Sequence, residues 1–348
     1  MPIMMNNEAT LKNYRYAFYC LIAFISIFIS LAYGAIDIHF SELYEWLASL
    51  IGFDSSVDAI HVRIVEELRL PRMILAFLTG AGLSLSGAVL QMVTRNPLAD
   101  PYLFGISSGA SFGAVLVIAT LSGSSAFLVE YGLLQLGITG GAFVGSTLSV
   151  ILVLAFAGNG MQIERMLLAG VAVSFMFASA TSLVLYHIDA QAVATLLFWT
   201  MGSFTRANWD NLYLPIVIVV ICLSIFLGFS RQMRTALAGD ESAQALGVDI
   251  HKLRINMLLL SSLMTATLVA NTGGIGFIGL MIPHIVRRIF HQYQRYFLWS
   301  CAIFGGCFMV WIDVLARTLM EDSELPIGVI TAAIGSIFFL LVLKQRRS

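Results

Sequence analysis

The sequence predicts an all-helical protein that crosses a membrane about ten times, with both termini in the cytoplasm. Composition is the first reason. Hydrophobic residues make up 59% of the 348 and charged residues only 11%, against roughly 25% charged in a soluble chain. Mean hydropathy is +0.88. A water-soluble domain of this length cannot hide that much apolar surface, so lipid must be the solvent for most of it. The second reason is spacing. Apolar runs of about the 20 residues that span a bilayer come one after another at 16–35, 70–93, 103–121, 131–157, 164–187, 209–230, 253–271, 276–290, 296–319 and 326–343. The third is charge. Threading ten spans puts fourteen of the 19 basic residues, from Lys12 and Arg15 to Arg346 and Arg347, on the side of the N-terminus. Only Arg63, Arg69, Arg72, Arg206 and Arg317 fall opposite. The excess of Lys and Arg marks the cytoplasmic side.

Residues 1–348 therefore read as a single transmembrane domain. The net charge of −1 gives no sign of a nucleic-acid partner. Cys20, Cys222, Cys301 and Cys307 all lie in apolar runs without metal-ligand spacing, so they read as small core residues.

The first run has Lys12 and Arg15 before it and A-Y-G-A after it, like a signal peptide. Its apolar part is longer than a usual signal core, so it reads as an uncleaved span. An acidic segment, Asp37 to Glu67, comes next, and its Ser41 to Leu47 stretch has the pattern of an interfacial amphipathic helix. Small residues recur at four-residue spacing: Gly105, Gly109 and Gly113, then Gly137, Gly141 and Gly145, and Gly82 with Ser86. Such faces let helix backbones pack closely in lipid. Pro97 and Pro101 stop the helix at T-R-N-P-L-A-D-P, with Asn96 as a cap for the next helical stretch. Gly273 to Gly279 breaks the chain again, and Pro283 suggests that the short eighth span is a broken helix.

Thr235 to Leu253 is different: polar, charged and Ala-rich between two apolar runs. Asp240 reads as the N-cap of a short helix, with Ala243, Ala245 and Leu246 forming a small apolar face and Gly247 ending the turn. That helix cannot enter lipid, and its apolar face is too small for a core. A docking surface for another protein and an ordinary solvated loop both fit the composition.

No catalytic constellation is present. The six histidines are scattered, and none pairs with an acid or Cys at ligand spacing. Asp313 and Arg317 stand at the spacing of a favourable helix pair. There is no G-x-x-x-x-G-K-S/T phosphate loop, so any use of ATP falls to another chain. An ion-coupled secondary transporter would place acids inside its spans, and only Asp313 qualifies. An intramembrane enzyme would need a catalytic pair at membrane depth, which the sequence lacks.

Several stretches resemble a known family. They are R-L-P-R at Arg69 to Arg72, S-G-A-V-L-Q at Ser86 to Gln91, N-P-L-A-D-P at Asn96 to Pro101 and G-I-S-S-G-A at Gly105 to Ala110. A second block holds G-G-I-G-F-I-G-L-M-I-P-H-I-V-R at Gly273 to Arg287 and E-L-P-I-G-V-I-T at Glu324 to Thr331. From about Arg69 to the C-terminus, in the family's own order, the chain resembles the permease subunit of bacterial ABC importers for iron–siderophore complexes, haem and cobalamin. The resemblance implies a cobalamin-importer-like fold in the bacterial inner membrane. It implies a homodimer, or a pair of related permeases, over two ATPase subunits that hold ATP and Mg. A periplasmic binding protein would deliver the ligand. G-D-E-S-A-Q-A-L-G-V resembles the family's coupling helices, which assigns 235–253, with Gly239, Asp240, Glu241, Ala243, Ala245, Leu246 and Gly247, to the ATPase contact. Arg69, Arg72 and Arg317 match arginines that grip glutamates of the binding protein, and as exposed groups among acids they would exchange partners at small cost. Asn96, Leu98, Gln162 and Ile163 match the cytoplasmic gate, although a relative has small hydroxyl residues in the 162–164 region. An iron–siderophore complex is the cargo the family implies first.

Overall fold

A computed structural model describes residues 18–34, 36, 38–53, 57–121, 133–158, 163–290, 296–320 and 323–345. Among these residues every regular element is helical. Gln162, Lys12, Arg15, Arg295, Arg346 and Arg347 lie outside the described residues.

The first apolar run becomes α1, Phe18–Ser30. The acidic segment holds α2, Phe40–Ser49, which buries Leu43 and Trp46 and turns Phe40 and Tyr44 outward. Next, α3 (Ala59–Arg63) runs through one π-helical stretch (Ile64–Arg69) into α4 (Leu70–Thr94). The three form one continuous helix of 36 residues, about 54 Å long at 1.5 Å per residue. The wide turn has a local cause. Pro71 has no N–H to give, and its ring clashes with the carbonyl four residues back. Leu70, just before it, donates to Val65 instead, the i−5 bond of a π-bulge.

The remaining helices are α5 (Ile106–Leu121), α6 (Leu133–Ala157), α7 (Ile163–His187) and α8 (Ala190–Thr200). After them come α9 (Trp209–Gly228), α10 (Ser230–Leu237), α11 (Asp240–Ala245) and α12 (Ile250–Thr272). The chain ends with α13 (Ile278–Phe290), α14 (Phe297–Thr318) and α15 (Ile327–Gln345). Each of the ten expected runs coincides with a helix, and among the described residues seven helices are long and apolar enough to cross a membrane. α8 falls in a stretch that the hydropathy reading passed over, because its 11 residues are too few for a span.

α4 is the axis. The apolar window of Ala59–Thr94 is 78% buried, against 22% for α7 and for α15 at the periphery. Its small face lets neighbours approach to backbone contact. A Cβ on Gly80 would lie 2.0 Å from the carbonyl of Gly305 in α14, and one on Gly87 would lie 2.0 Å from that of Gly279 in α13. α5 and α6 meet in the same way, with Gly109 on Gly145 and Gly113 on Gly141. The spacing marked these glycines as close-packing faces, and the structure pairs them. Gly105 has another role: it turns the chain at φ 71° after the 3-10 helix Pro101–Phe104.

α13 is one continuous helix through Pro283, not the broken one expected. Proline leaves the carbonyl four residues earlier without its donor. Here that carbonyl belongs to Gly279, and Gln91 Nε2 of α4 donates to it at 2.9 Å. The break lies instead just before α13, at 273–277, where Gly273 takes φ 75° and Phe277 φ 71°.

A Cβ at position 113 would lie 1.9 Å from the Gly141 carbonyl, whereas one at Gly140 would meet nothing within 4 Å. Gly113→Ala must therefore push α5 from α6, an overpacking that costs about 1–3 kcal/mol. Melting of the detergent-solubilised protein should fall by several degrees for Gly113→Ala and stay unchanged for Gly140→Ala.

Candidate functional site

Functional candidates gather at two opposite ends of the bundle. The first end carries the turn after α4 and the segment from α10 to α12. α4 stops at Arg95, which takes a left-handed conformation (φ 51°). Asn96 does not cap a helix there. Its Oδ1 accepts from the backbone N–H of Leu98 at 2.9 Å and closes a turn. Asp100 caps the 3-10 helix after it, accepting from Tyr102 N at 2.8 Å. Leu98 remains exposed, and Ile163 opens α7.

The polar island is built differently from the expectation at two points. Gly239 is the N-cap of α11, and Asp240 is its first residue. Freed from capping, the Asp240 carboxylate takes both terminal nitrogens of Arg254, at 2.9 and 3.1 Å, and Arg95 Nη2 at 3.1 Å. Arg254 Nε in turn donates to Val93 O of α4 at 2.9 Å. The island is therefore bolted to the end of α4 and the start of α12. The second correction concerns its apolar face. Ala243 is fully buried in the main core, whereas Ala245 and Leu246 point outward, with Leu246 73% exposed.

The end of α11 agrees with the expectation at Gly247. With φ at 80°, Gly247 donates to Gln244 O at 2.9 Å, and Val248 donates to Ala243 O at 2.9 Å. These are the two bonds of a Schellman motif. The turn presents Glu241, Gln244, Ala245, Leu246 and Gly247 together on the outside.

The opposite end carries Arg69, Arg72 and Arg317, and none of the three is the exposed group expected. Arg69 is 6% exposed and donates to the carbonyls of Leu31, Ala32 and Ile36. Arg317 Nη2 donates to Ser30 O at 2.9 Å. Both arginines thus satisfy carbonyls at and just past the end of α1, groups that a helix leaves without partners. Arg72 Nε holds both oxygens of Asp313, at 2.8 and 3.0 Å, and its terminal nitrogens hold Glu324 at 2.9 and 2.8 Å. Asp313 therefore pairs first with Arg72. Its helical neighbour Arg317 stands 3.7 Å away. The arginines line a cleft of about 450 Å³ with Gly34, Ser323 and Glu324.

Between the two ends lie features that sequence reasoning missed. Tyr102 Oη accepts from Ile275 N at 3.0 Å, so the link 95–105, with its 3-10 helix, meets the non-helical link 273–277 inside the protein. Trp199 Nε1, Gln91 Oε1, Ser261 Oγ and Thr265 Oγ1 are buried without a partner among the described residues. Among the described residues no group of three or more His, Cys, Asp or Glu is placed to hold a metal.

One protein family matches nearly the whole chain. The model of the FecCD transport family matches residues 21–345. The chain belongs to that family. The hemin transport system permease protein HmuU of Yersinia pestis is 35% identical over 317 residues, covering 90% of each chain. The cobalamin import system permease protein BtuC of Halobacterium salinarum is 37% identical over 285 residues, covering 81% of this chain and 74% of its own. A solved structure of a putative metal-chelate type ABC transporter in an inward-facing conformation superposes with a TM-score of 0.82 at 31% identity. It covers 95% of this chain and 99% of its own. This FecCD chain is accordingly a multi-pass membrane permease of the ABC importer type.

Asp100 offers a measurable property of the permease. It is buried, and burial pushes its carboxyl up to about 6, against the opposing pull of the Tyr102 N–H. Unfolded Asp titrates at about 3.9, so the native state binds more protons between those values. Stability should therefore fall as pH rises from about 4 to 6. Asp100→Asn keeps the oxygen acceptor and removes the titration. Melting curves across that range should show the pH slope shrinking in the variant.

Proposed function

We propose that this permease forms the membrane pathway of an ATP-driven importer for an iron–siderophore complex, with haem or cobalamin as the alternative cargo. The carrying observation is the exposed turn at Leu246. An apolar side chain left out in the open at the polar end of a membrane protein calls for a cover. The bolting of Asp240 to Arg95 and Arg254 gives that turn a rigid base from which to transmit force. The cover is an ATPase subunit, one on each copy of the permease, with ATP and Mg held there.

In this reading the chain crosses the inner membrane ten times, with both termini in the cytoplasm. A second permease copy completes the pathway. The surface of α7 supports such a partner: Ala172, Phe175, Ser179, Ser182 and Tyr186 share an exposed face, and small hydroxyl residues there suit a helix more than lipid. Asn96 and Leu98 then line the cytoplasmic gate near the dimer axis. The opposite end receives a periplasmic binding protein. Asp313, the one acid offered for ion coupling, is occupied by Arg72 at 2.8 Å, which argues against a secondary transporter.

The test uses the assembled transporter in proteoliposomes with the ferric chelate on the binding-protein side. Uptake should require ATP and stop with vanadate. Leu246→Asp should abolish uptake and break the link between transport and ATP hydrolysis while the permease still inserts and purifies. Normal ATP-driven uptake by that variant would remove the docking role from the turn.

A further inference from the structure

We propose that Glu324 is an internal stand-in for a carboxylate of the docking partner, and that docking displaces it from Arg72. This rests on the reading that the cleft end receives a binding protein, and it deepens that reading by naming the exchangeable contact.

The argument begins with the division of labour on one guanidinium. Nε of Arg72 serves Asp313, whose side chain is 2% exposed on the rigid helix α14. The two terminal nitrogens serve Glu324, whose side chain is 41% exposed. A planar fork with two parallel N–H groups accepts any carboxylate that arrives in plane. An incoming Asp or Glu side chain reaching into the cleft can take the outer edge of Arg72 while Asp313 keeps the inner one. The guanidinium then never loses its charge partner, and no buried charge is exposed at any stage.

The other two arginines lack this freedom. Arg69 and Arg317 are engaged with carbonyls of Ser30, Leu31, Ala32 and Ile36, around the end of α1. Taking either one away would strip helix-end carbonyls of their donors. Of the three arginines that the sequence offers for docking, the geometry therefore selects Arg72.

Glu324 also sits where its release has an effect. The linker that carries it runs straight into α15 and is stitched to its surroundings by backbone bonds. Leu325 N donates to Ala316 O at 3.0 Å, Ile327 N to Gly202 O at 3.0 Å and Gly328 N to Met201 O at 2.9 Å. Glu324 lines a second cleft as well, of about 420 Å³, together with Trp199, Arg206 and Asn271. Displacement frees the linker side chain that separates the docking cleft from this second one.

The experiment measures the affinity of the ligand-free binding protein of the same transport system for the full transporter in nanodiscs. Removing an internal competitor tightens binding. Glu324 is 41% exposed and Arg72 only 13%, so the pair exceeds a fully exposed one and Glu324→Gln should lower the Kd by at least about twofold. Arg72→Gln should weaken binding, and the double variant should bind no more tightly than Arg72→Gln alone. If Glu324→Gln does not assemble, Glu324→Asp, with its shorter reach to Arg72, must still bind more tightly than wild type. Unchanged or weaker binding by the assembled Glu324 variant, with Arg72→Gln still impaired, would overturn the stand-in role and leave docking on Arg72 intact. Wild-type binding by Arg72→Gln would instead remove the docking reading, and the exchange would fall with it.

Discussion

The close approach of backbones along α4 governs the rest of the molecule. Lipid gives helices no hydrophobic reason to associate, so packing must come from surface matching and internal polar bonds. At Gly80 against Gly305 and Gly87 against Gly279 the helices touch through main-chain atoms, with no room for a methyl group. That proximity brings α13 near enough for Gln91 to serve the carbonyl that Pro283 leaves open. The same helix joins both ends, because Arg72 and Arg95 lie roughly 35 Å apart along its axis. A contact altered at one end meets a continuous, deeply buried rod leading to the other.

Where the chain departs from helix within this packed interior, its polar groups are served by protein. The links 95–105 and 273–277 meet through Tyr102 and Ile275, and Ser203 N donates to Thr272 O at 2.9 Å where α12 ends. Irregular backbone at membrane depth is tolerated only under such conditions, or where it lines a water-filled path. α12 adds a buried face of Ser261, Ser262 and Thr265, whose hydroxyls have no partner among the described residues. Broken segments and polar interior faces of this kind are what transporter folds set around a pathway.

The apolar helices were legible because lipid imposes one simple condition, about 20 apolar residues in a row. The glycine spacing that joins α5 to α6 was legible for a related reason: a repeat of four places small residues on one helix face. Gly247 was legible because a Schellman turn needs a left-handed residue at one position. What stayed hidden depends on distance in the chain. Nothing local in Asp313 points to Arg72, 241 residues away, whereas Arg317 four residues on offers an obvious and weaker partner. Ala243 and Leu246 look alike in a polar island, and only the packing of α11 on the core separates the buried one from the exposed one. The π-bulge before Pro71 was hidden too, since a proline within a helical run ordinarily signals an end.

The two ends solve one electrostatic problem in opposite senses. At the first, a single carboxylate, Asp240, is shared by Arg95 and Arg254. At the second, a single guanidinium, Arg72, is shared by Asp313 and Glu324. In each triad one of the shared partners is the more accessible: Arg95 is 42% exposed against 17% for Arg254, and Glu324 is 41% exposed against 2% for Asp313. A lone ion pair near the interior cannot open cheaply, because the charge left behind loses both its partner and its water. A triad with one inner and one outer partner can open at the outer contact while the inner one holds. A charge that approaches the outer contact replaces one partner with another and does not have to break into an empty, desolvated site. The sharing thus gives each end one deeply held contact and one more accessible one.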